Sequence, residues 1–327
     1  MAVKFGVFVP QGWRMDLVKI KDPIEKYEAM TKVAQAADRG PWDSLWVYDH
    51  FHTVPEPTLE TTFECWTITS TLARDTKRVR VGQMVGCNGY RNPALYAKIA
   101  STVDVASHGR LNAGIGAGWY EHEWRAFGYG FPELRERMGM FREACEIIHK
   151  MWTEDYPTFK GKYYSIDRPL NEPKGVQKPH PPLWIGGGGE RVTLKLLAQF
   201  GDACNIDPVP DVVRHKLGVL REHCEAASRN YDDITKSVTV EVFPIGKGEN
   251  PERARTKARG YEEFREGTLV AEADGVVAHL ERLIEVGIDY FIIYIPGLAY
   301  DLEPLQRFES EVIPRLAAST PVHSTTG

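Results

Sequence analysis

The chain of 327 residues alternates between two kinds of hydrophobic pattern. Short apolar runs with a period of two predict strands, because successive side chains of a strand point to opposite faces, and apolar residues three and four apart predict helices. The predicted strands cover residues 3–9, 44–48, 79–86, 111–119, 183–185, 202–206, 238–245 and 289–295. The predicted helices cover residues 23–40, 61–74, 94–107, 133–152, 191–200, 211–229, 251–266, 273–286 and 302–316.

This order of elements predicts a (β/α)8 TIM barrel, since a strand is followed by a helix about eight times. A doubly wound open sheet is the alternative, and the number of strands disfavours it. Between strands 4 and 5 the repeat pauses for an insertion, a predicted hairpin over 156–166 and a proline-rich crossing loop over 169–182. We expect residues 1–318 to form a single domain and residues 319–327 to form a disordered tail.

The fourth predicted strand has an unusual face. Apolar side chains alternate with Gly114, Gly116 and Gly118, so one side of the strand is nearly bare. Glycines weaken a strand, which implies that something needs the space. A bulky neighbour filling a tapered barrel is one explanation, and a flat ligand lying against the backbone is the other. Polar and aromatic residues gather at the C-terminal end of this strand, where α/β proteins place their active sites.

Composition narrows the class of protein further. Asp and Glu number 45 against 40 Lys and Arg, for a net charge of −5, which speaks against a nucleic-acid or anionic-membrane partner. We expect no membrane span and no signal peptide, because every apolar run is interrupted and the N-terminus leads directly into a strand pattern. The five cysteines are scattered without CxxC spacing, which favours reduced thiols in a cytoplasmic protein.

The first candidate for chemistry is the segment Asp49-His50-Phe51-His52 after strand 2. Two histidines in this spacing can hold a metal ion, but the later strand ends lack the further histidines that such a site requires, so we predict no metal. The second interpretation is an acid–base histidine, His50, beside a substrate. A loop histidine bonded only to backbone remains the simplest alternative.

The second candidate is the glycine run after strand 5. Its glycines allow successive N–H groups to converge, and the helix that follows adds partial positive charge, so the segment favours a phosphate. A plain flexible connector is the alternative. Neither glycine stretch matches a dinucleotide-binding or ATP-binding fingerprint. Cys87 follows strand 3 without an obvious means of lowering its pKa. A set of aromatic residues near strand ends could line a substrate pocket: Trp13, Tyr48, Tyr90, Trp119 and Tyr120.

Four segments together resemble the bacterial-luciferase-like superfamily: WVYDHFH, YRNPALYAKIASTVDVASHGR, GIGAGWYEHEWRAFG and PLWIGGGGE. The resemblance covers nearly the whole chain. It implies a (β/α)8 barrel with an insertion, a homodimer, and a flavin or deazaflavin bound at the C-terminal mouth. The chain is more similar to the branch that uses the deazaflavin coenzyme F420 for hydride transfer than to the branch of FMN-dependent monooxygenases.

The resemblance also implies roles for individual residues. Asp49 would hydrogen-bond the ring system of the cofactor, and His50 would polarise or deprotonate a substrate hydroxyl. Met84 and Val85 would form a bulge with a non-proline cis peptide behind the ring, with Gly86 beside it.

Further residues would contact the cofactor or the substrate. Ala117 and Gly118 would touch the ring. Trp119 stands where sugar-phosphate dehydrogenases of the branch have an acidic residue, which puts sugar phosphates in doubt as substrates; Glu121 or Glu123 could take over as the protonation partner. The phosphate would be held by Gly187, Gly188, Gly189 and Glu190.

Three functions follow as hypotheses. The first is an F420-dependent oxidoreductase acting on a small organic substrate. The second is an FMN-dependent monooxygenase that uses reduced flavin and O2 and is supplied by a separate reductase. The third is a flavin-binding protein without catalysis, and the presence of His50 argues against it.

Overall fold

A computed structural model describes residues 2–261 and 265–317. In this part of the chain, eight parallel strands pair in sequence order, and the eighth pairs with the first through Lys4 and Tyr290, so the sheet closes into a barrel. The predicted TIM barrel is therefore confirmed. The barrel strands are β1 Lys4–Phe8, β2 Ser44–Val47, β3 Arg80–Gln83, β4 Leu111–Gly116, β5 Leu183–Gly186, β6 Ala203–Ile206, β7 Thr235–Ile245 and β8 Tyr290–Tyr294.

Helices cover the outside of the barrel. They are α1 Pro23–Arg39, α2 Cys65–Asp75, α3 Pro93–Ala106, α4 Glu121–Ala126, α5 Leu134–Thr153, α6 Thr193–Phe200, α7 Pro210–Ala226, α8 Pro251–Arg259, α9 Ala273–Glu285, α10 Glu303–Arg307 and α11 Ile313–Leu316. A π-helical turn, Phe308–Val312, joins the last two, and short 3-10 turns occur at Asn88–Tyr90 and Tyr231–Asp233.

Several helices begin where a side chain accepts the first free N–H groups. The carboxylate of Asp22 accepts from the N–H groups of Ile24 and Glu25, and Asn92 caps α3 in the same way. The helix predicted to start at residue 61 starts at Cys65, because the preceding residue, Glu64, is the cap.

The third barrel strand differs from the prediction of one continuous strand over 79–86. From Gly82 to Gly86 the chain takes four steps, whereas the paired positions on β4, Asn112 and Ile115, are three steps apart. One extra residue therefore bulges between β3 and a two-residue continuation, Gly86–Cys87. The peptide bond between Met84 and Val85 lies in this bulge and is cis.

Between β4 and β5 the chain forms α4, α5 and an antiparallel hairpin, Thr158–Lys160 with Ser165–Asp167. A parallel strand that we did not predict, Leu269–Glu272, adds to β7 beyond the barrel. The helix predicted over 251–266 ends at Arg259, and Gly260 follows it. The predicted tail, 319–327, lies outside the described residues.

Two of the apolar clusters in the described residues hold the barrel together. One lies between the strands and the helices, and the other fills the barrel interior with large side chains that include Trp46, Trp184 and Tyr290. These side chains fill the middle of the barrel and separate a cavity at its C-terminal mouth from another of about 290 Å³ at its N-terminal end. All five cysteines are free and buried. Within the described residues, no helix combines the length and the apolar character that a membrane span requires.

Candidate active site

A cavity of about 380 Å³ opens at the C-terminal ends of the barrel strands. It lies where the sequence predicted a ligand, and its size suits a small-molecule site. It brings together most of the predicted residues, Gly116 of the glycine face, Gly186 at the start of the glycine run, and two residues that were not predicted, Thr193 and Asn205. The predicted residues at its wall are Trp13, Tyr48, Asp49, His50, Met84, Val85, Gly86, Ala117, Gly118, Trp119, Tyr120 and Gly187, and Cys87 and Tyr90 line it as well.

The glycine face of β4 is not an empty surface for a ligand. A Cβ atom added to Gly116 would lie 2.7 Å from Val85 Cγ2, and one added to Gly186 would lie 2.8 Å from Val85 Cγ1. At Gly114 it would lie 1.7 Å from the carbonyl oxygen of Gln83. The glycines therefore make room for the β3 bulge. A ligand at the mouth would meet Val85, which covers this face.

The His50 ring is oriented by the buried carboxylate of Glu123, which lies on α4. Its Nδ1 lies 2.9 Å from Glu123 Oε2, and Tyr90 donates to the same oxygen at 2.7 Å. The N–H groups of Phe51 and His52 donate to Glu123 Oε1 at 2.7 and 2.8 Å. Since Glu123 is fully buried, these four bonds fix the His50 ring with Nδ1 as the donor and leave Nε2 available to a ligand.

The protonation states of this group follow from its surroundings. Burial raises the pKa of Glu123, but the hydrogen bonds from His50 and its other partners outweigh burial, and the pKa is lowered. Burial and the neighbouring negative charges raise the pKa of Tyr90, so its hydroxyl stays protonated and donates. Glu123 is therefore an ionised acceptor over the whole neutral pH range. The sequence suggests Glu123 only as an alternative protonation partner and does not predict its contact with His50.

Aromatic rings surround His50. The Trp13 ring stacks on the imidazole with centroids 4.1 Å apart and an interplanar angle of 3°. Trp13 also packs against Tyr48 at 4.3 Å. Trp119 is 61% exposed and meets His50 edge-on at 5.7 Å, and it stacks on Tyr120. The wall of the cavity is thus aromatic around His50, with Trp13 parallel to the imidazole and Trp119 and Tyr120 inclined to it by 68° and 62°.

The Asp49 carboxylate hydrogen-bonds other residues of the cavity wall. Its Oδ2 accepts from the Cys87 N–H at 2.7 Å and from Arg91 at 2.6 Å, and its Oδ1 accepts from Arg91 at 3.0 Å. Both oxygens already accept from protein donors, and the ring contact implied by the resemblance stays a prediction. The Cys87 thiol is buried, and burial raises its pKa, which keeps it protonated and argues against a nucleophile.

The glycine run turns away from the cavity after its second residue. Gly187 has a φ of +106°, which favours glycine, and lines the cavity. The predicted phosphate ligands Gly188, Gly189 and Glu190 do not line it. Glu190 forms ion pairs with Lys216 at 2.5 Å and His215 at 3.0 Å, and the bond from Lys216 lowers its pKa. An ionised carboxylate repels phosphate, so the Glu190 side chain is a poor ligand for this group.

The two histidines of the segment 49–52 do not converge. His52 packs against His122 with ring centroids 5.1 Å apart, away from the contact between His50 and Glu123. Among the described residues, no group of three or more His, Cys, Asp or Glu side chains is placed to hold a metal ion.

Comparison with known proteins identifies relatives of this chain. The chain is 26% identical over 324 residues to an F420-dependent glucose-6-phosphate dehydrogenase of Amycolatopsis mediterranei, a match that covers 88% of this chain and 94% of that protein. It is 24% identical over 339 residues to the oxygenase component of a flavin-dependent trigonelline monooxygenase of Acinetobacter baylyi, covering 90% and 91% of the two chains.

A solved structure shares the fold. It is an F420-dependent secondary alcohol dehydrogenase in complex with an F420-acetone adduct, with a TM-score of 0.76 and 20% sequence identity, and the match covers 95% of this chain and 98% of the other. The family model of luciferase-like monooxygenases matches residues 3–288. Since this match spans most of the barrel, the chain belongs to the luciferase-like monooxygenase family.

Proposed function

We propose that this protein is an oxidoreductase that transfers hydride between coenzyme F420 and a small, uncharged organic substrate. Relatives whose names state F420 dependence support the cofactor. The observation that carries the proposal is the contact of 2.9 Å between His50 and the buried Glu123 at the wall of the cavity. A histidine oriented by a carboxylate is suited to moving a proton at a substrate oxygen.

The residues at the mouth fit a flat ring. Val85 offers an apolar surface, and the adjoining wall has only small residues, Gly116, Ala117 and Gly118. A Cβ atom on Gly187 would have no neighbour closer than 3.8 Å, so the backbone on this side is open to a ligand. When bound there, F420 supplies the position that accepts or releases the hydride.

The chain itself would supply the proton chemistry. In the oxidation of an alcohol, His50 would accept the hydroxyl proton at Nε2, and the adjacent Glu123 carboxylate would stabilise the resulting positive charge. In the reverse direction the same nitrogen would donate. Trp13, stacked on the imidazole, keeps the ring plane fixed.

The substrate is expected to carry no phosphate. No Lys or Arg side chain of the described residues lines the cavity. Arg265 lies in the groove next to it, but it is paired with Glu241 at 3.1 Å. A buried phosphate without a cation would lose its hydration without compensation. An alcohol, carbonyl or imine under the aromatic side chains fits the wall better than a sugar phosphate.

The test combines F420 turnover with two variants. Purified protein is mixed with oxidised F420 and a panel of alcohols, or with reduced F420 and carbonyl, imine and nitro compounds, and the visible absorbance of the deazaflavin is followed. His50→Ala is expected to abolish turnover while F420 still binds, and His122→Ala, a change of an exposed histidine nearby, is expected to retain it. Full turnover by His50→Ala, or no F420 binding by the wild type, would refute the proposal.

The FMN-dependent monooxygenase remains the second candidate, favoured by the similarity to the trigonelline oxygenase over 90% of this chain. Tighter binding of FMN than of F420, followed by oxygenation of a substrate with reduced FMN and O2, would establish it instead. A separate reductase belongs to this alternative. The homodimer implied by the resemblance stays a prediction that sedimentation equilibrium can test.

A further inference from the structure

A second, smaller cavity is lined by positive charge. It measures about 270 Å³ and lies between α5 and the segment from Arg191 to Gln199, which includes most of α6, and we call it the basic pocket. Three of its residues are cations: Arg142 on α5, and Arg191 and Lys195 at the start of α6. The remaining lining residues are uncharged: Val192, Leu196 and Gln199. In a chain with more acidic than basic residues, three cations around one concave surface without a carboxylate stand out.

The three cations have no internal counterion. In the described part of the chain, no carboxylate oxygen lies within the 4.0 Å of an ion pair from any of them. Glu190, next to Arg191 in sequence, is bound by Lys216 and His215 instead. Glu143, next to Arg142, accepts from the backbone N–H groups of Lys162, Tyr163 and Tyr164. Cations gathered without partners repel one another, and an anionic ligand relieves that repulsion. The start of α6 also lacks a side-chain cap, which adds partial positive charge on the same side.

The basic pocket is next to the main cavity along the chain. Gly187 and Thr193 line the main cavity, whereas Arg191 and Val192, between them in sequence, line the basic pocket. A ligand seated in the main cavity would need a flexible anionic side chain that passes over the glycine run to contact these cations. F420 has such a side chain, with a phosphodiester and glutamyl carboxylates, whereas FMN ends in a single phosphate.

We infer that the basic pocket binds a chain of carboxylate and phosphate groups, the side chain of the F420 proposed above. This inference rests on the proposed function for the source of the anion, and a free polyanion such as pyrophosphate shares the same chemistry. Arg142, Arg191 and Lys195 act as binding residues for the side chain and do not touch the reacting ring. The site thereby favours F420 over cofactors with shorter anionic tails.

The test compares F420 with its chromophore stripped of phosphate and glutamates. Affinities are measured by fluorescence titration for the wild type, the triple variant Arg142→Ala, Arg191→Ala, Lys195→Ala, and a control triple variant, Lys21→Ala, Lys32→Ala, Lys247→Ala. The control removes three exposed cations elsewhere and changes the net charge equally. We expect the first triple variant to bind F420 about tenfold more weakly, with unchanged affinity for the stripped chromophore, and each single variant to lose two- to threefold. Salt should weaken the binding of F420 more in the wild type than in the triple variant.

Each outcome separates this inference from the proposed function. If the triple variant binds F420 within twofold of the wild type, or if the control loses as much, the inference is wrong while the proposed function stands. If the wild type binds neither F420 nor the stripped chromophore, the proposed function fails. The basic pocket is then tested by calorimetry with pyrophosphate: loss of binding in the triple variant but not in the control supports a site for a free anion, and no binding to the wild type refutes it.

Discussion

The contact between His50 and Glu123 makes the sharpest prediction, and Glu123→Gln is the change that tests it. The amide has almost the shape of the carboxylate but offers one acceptor oxygen and one donor group. Four donors point at Glu123, and the two backbone N–H groups of Phe51 and His52 cannot reverse. The amide oxygen must therefore face these two, and the NH2 group faces His50 and Tyr90.

This orientation changes the chemistry of the histidine. The NH2 group donates to Nδ1 of His50, so the neutral ring carries its proton on Nε2 and can no longer accept one there. Tyr90 can rotate its hydroxyl to accept, so the perturbation falls on His50. Loss of a correctly oriented base lowers rates by about 10²- to 10³-fold. Four hydrogen bonds to an ionised, fully buried group are weakened or reversed, so the free energy of unfolding should fall by about 3 kcal/mol.

The assay separates chemistry from binding and from stability. Single-turnover hydride transfer, its pH profile, F420 affinity and thermal unfolding are measured for the wild type, Glu123→Gln and Glu121→Gln. The last variant changes an exposed glutamate on α4, 54% exposed and paired with Arg125, and should behave as the wild type. We expect the slow rate of Glu123→Gln to show a changed pH profile with F420 affinity nearly retained. A rate within threefold of the wild type and an unchanged pH profile would refute the reasoning.

Three further predictions concern stability and reactivity. Hydrogen bonding lowers the pKa of Glu123 below its ordinary 4.5 in the folded state, so its stabilising contribution is present above pH 4.5 and is lost as the pH falls through the lower folded-state pKa. Below pH 4.5, the free energy of unfolding measured in urea should therefore fall more steeply with decreasing pH in the wild type than in Glu123→Gln. Equal slopes would contradict this. Gly118→Ala should destabilise the protein by about 2 kcal/mol more than Gly128→Ala. Both glycines have a positive φ, 78° and 77°, but only a Cβ atom on Gly118 would meet Cys87 Sγ, at 2.5 Å. Equal melting temperatures of the two variants would disprove the contact. In the native protein at pH 8, iodoacetamide should label Cys87 and the other buried thiols slowly, as measured by mass spectrometry. After unfolding, it should label all five cysteines. Rapid labelling of Cys87 in the native protein would contradict its raised pKa.

The barrel could be predicted because its signals are local. Each strand and helix has its own hydrophobic period, and caps such as Asp22 act on N–H groups two and three residues away. Errors occurred where a distant residue decides a boundary. The strand predicted over 79–86 is interrupted because β3 and β4 pair with one residue to spare. The hydrophobic pattern does not reveal this bulge, and only the family resemblance implied it at Met84 and Val85.

The candidate site could be predicted in part, since most of its residues follow strand ends and strand ends of a parallel barrel meet at one mouth. The partners of Glu190, Lys216 and His215, were not predicted, because they lie on α7, beyond the helix that follows Glu190 in the chain. The glycines of β4 were correctly seen to leave space, but the occupant of that space could not be chosen between a neighbour and a ligand. It is Val85, a side chain of the bulge that follows β3.

By itself, the sequence determined the strand–helix repeat and the mouth of the barrel as the place for chemistry, because both depend on patterns within about 30 residues of chain. Only the tertiary structure decided that Glu123 meets His50, since the two are 73 residues apart and their contact depends on how the loops after β2 and β4 fold over the mouth. The same holds for Val85 on the glycine face and for the three cations of the basic pocket. Contacts between separate elements are set by packing in three dimensions, and no local period along the chain encodes them.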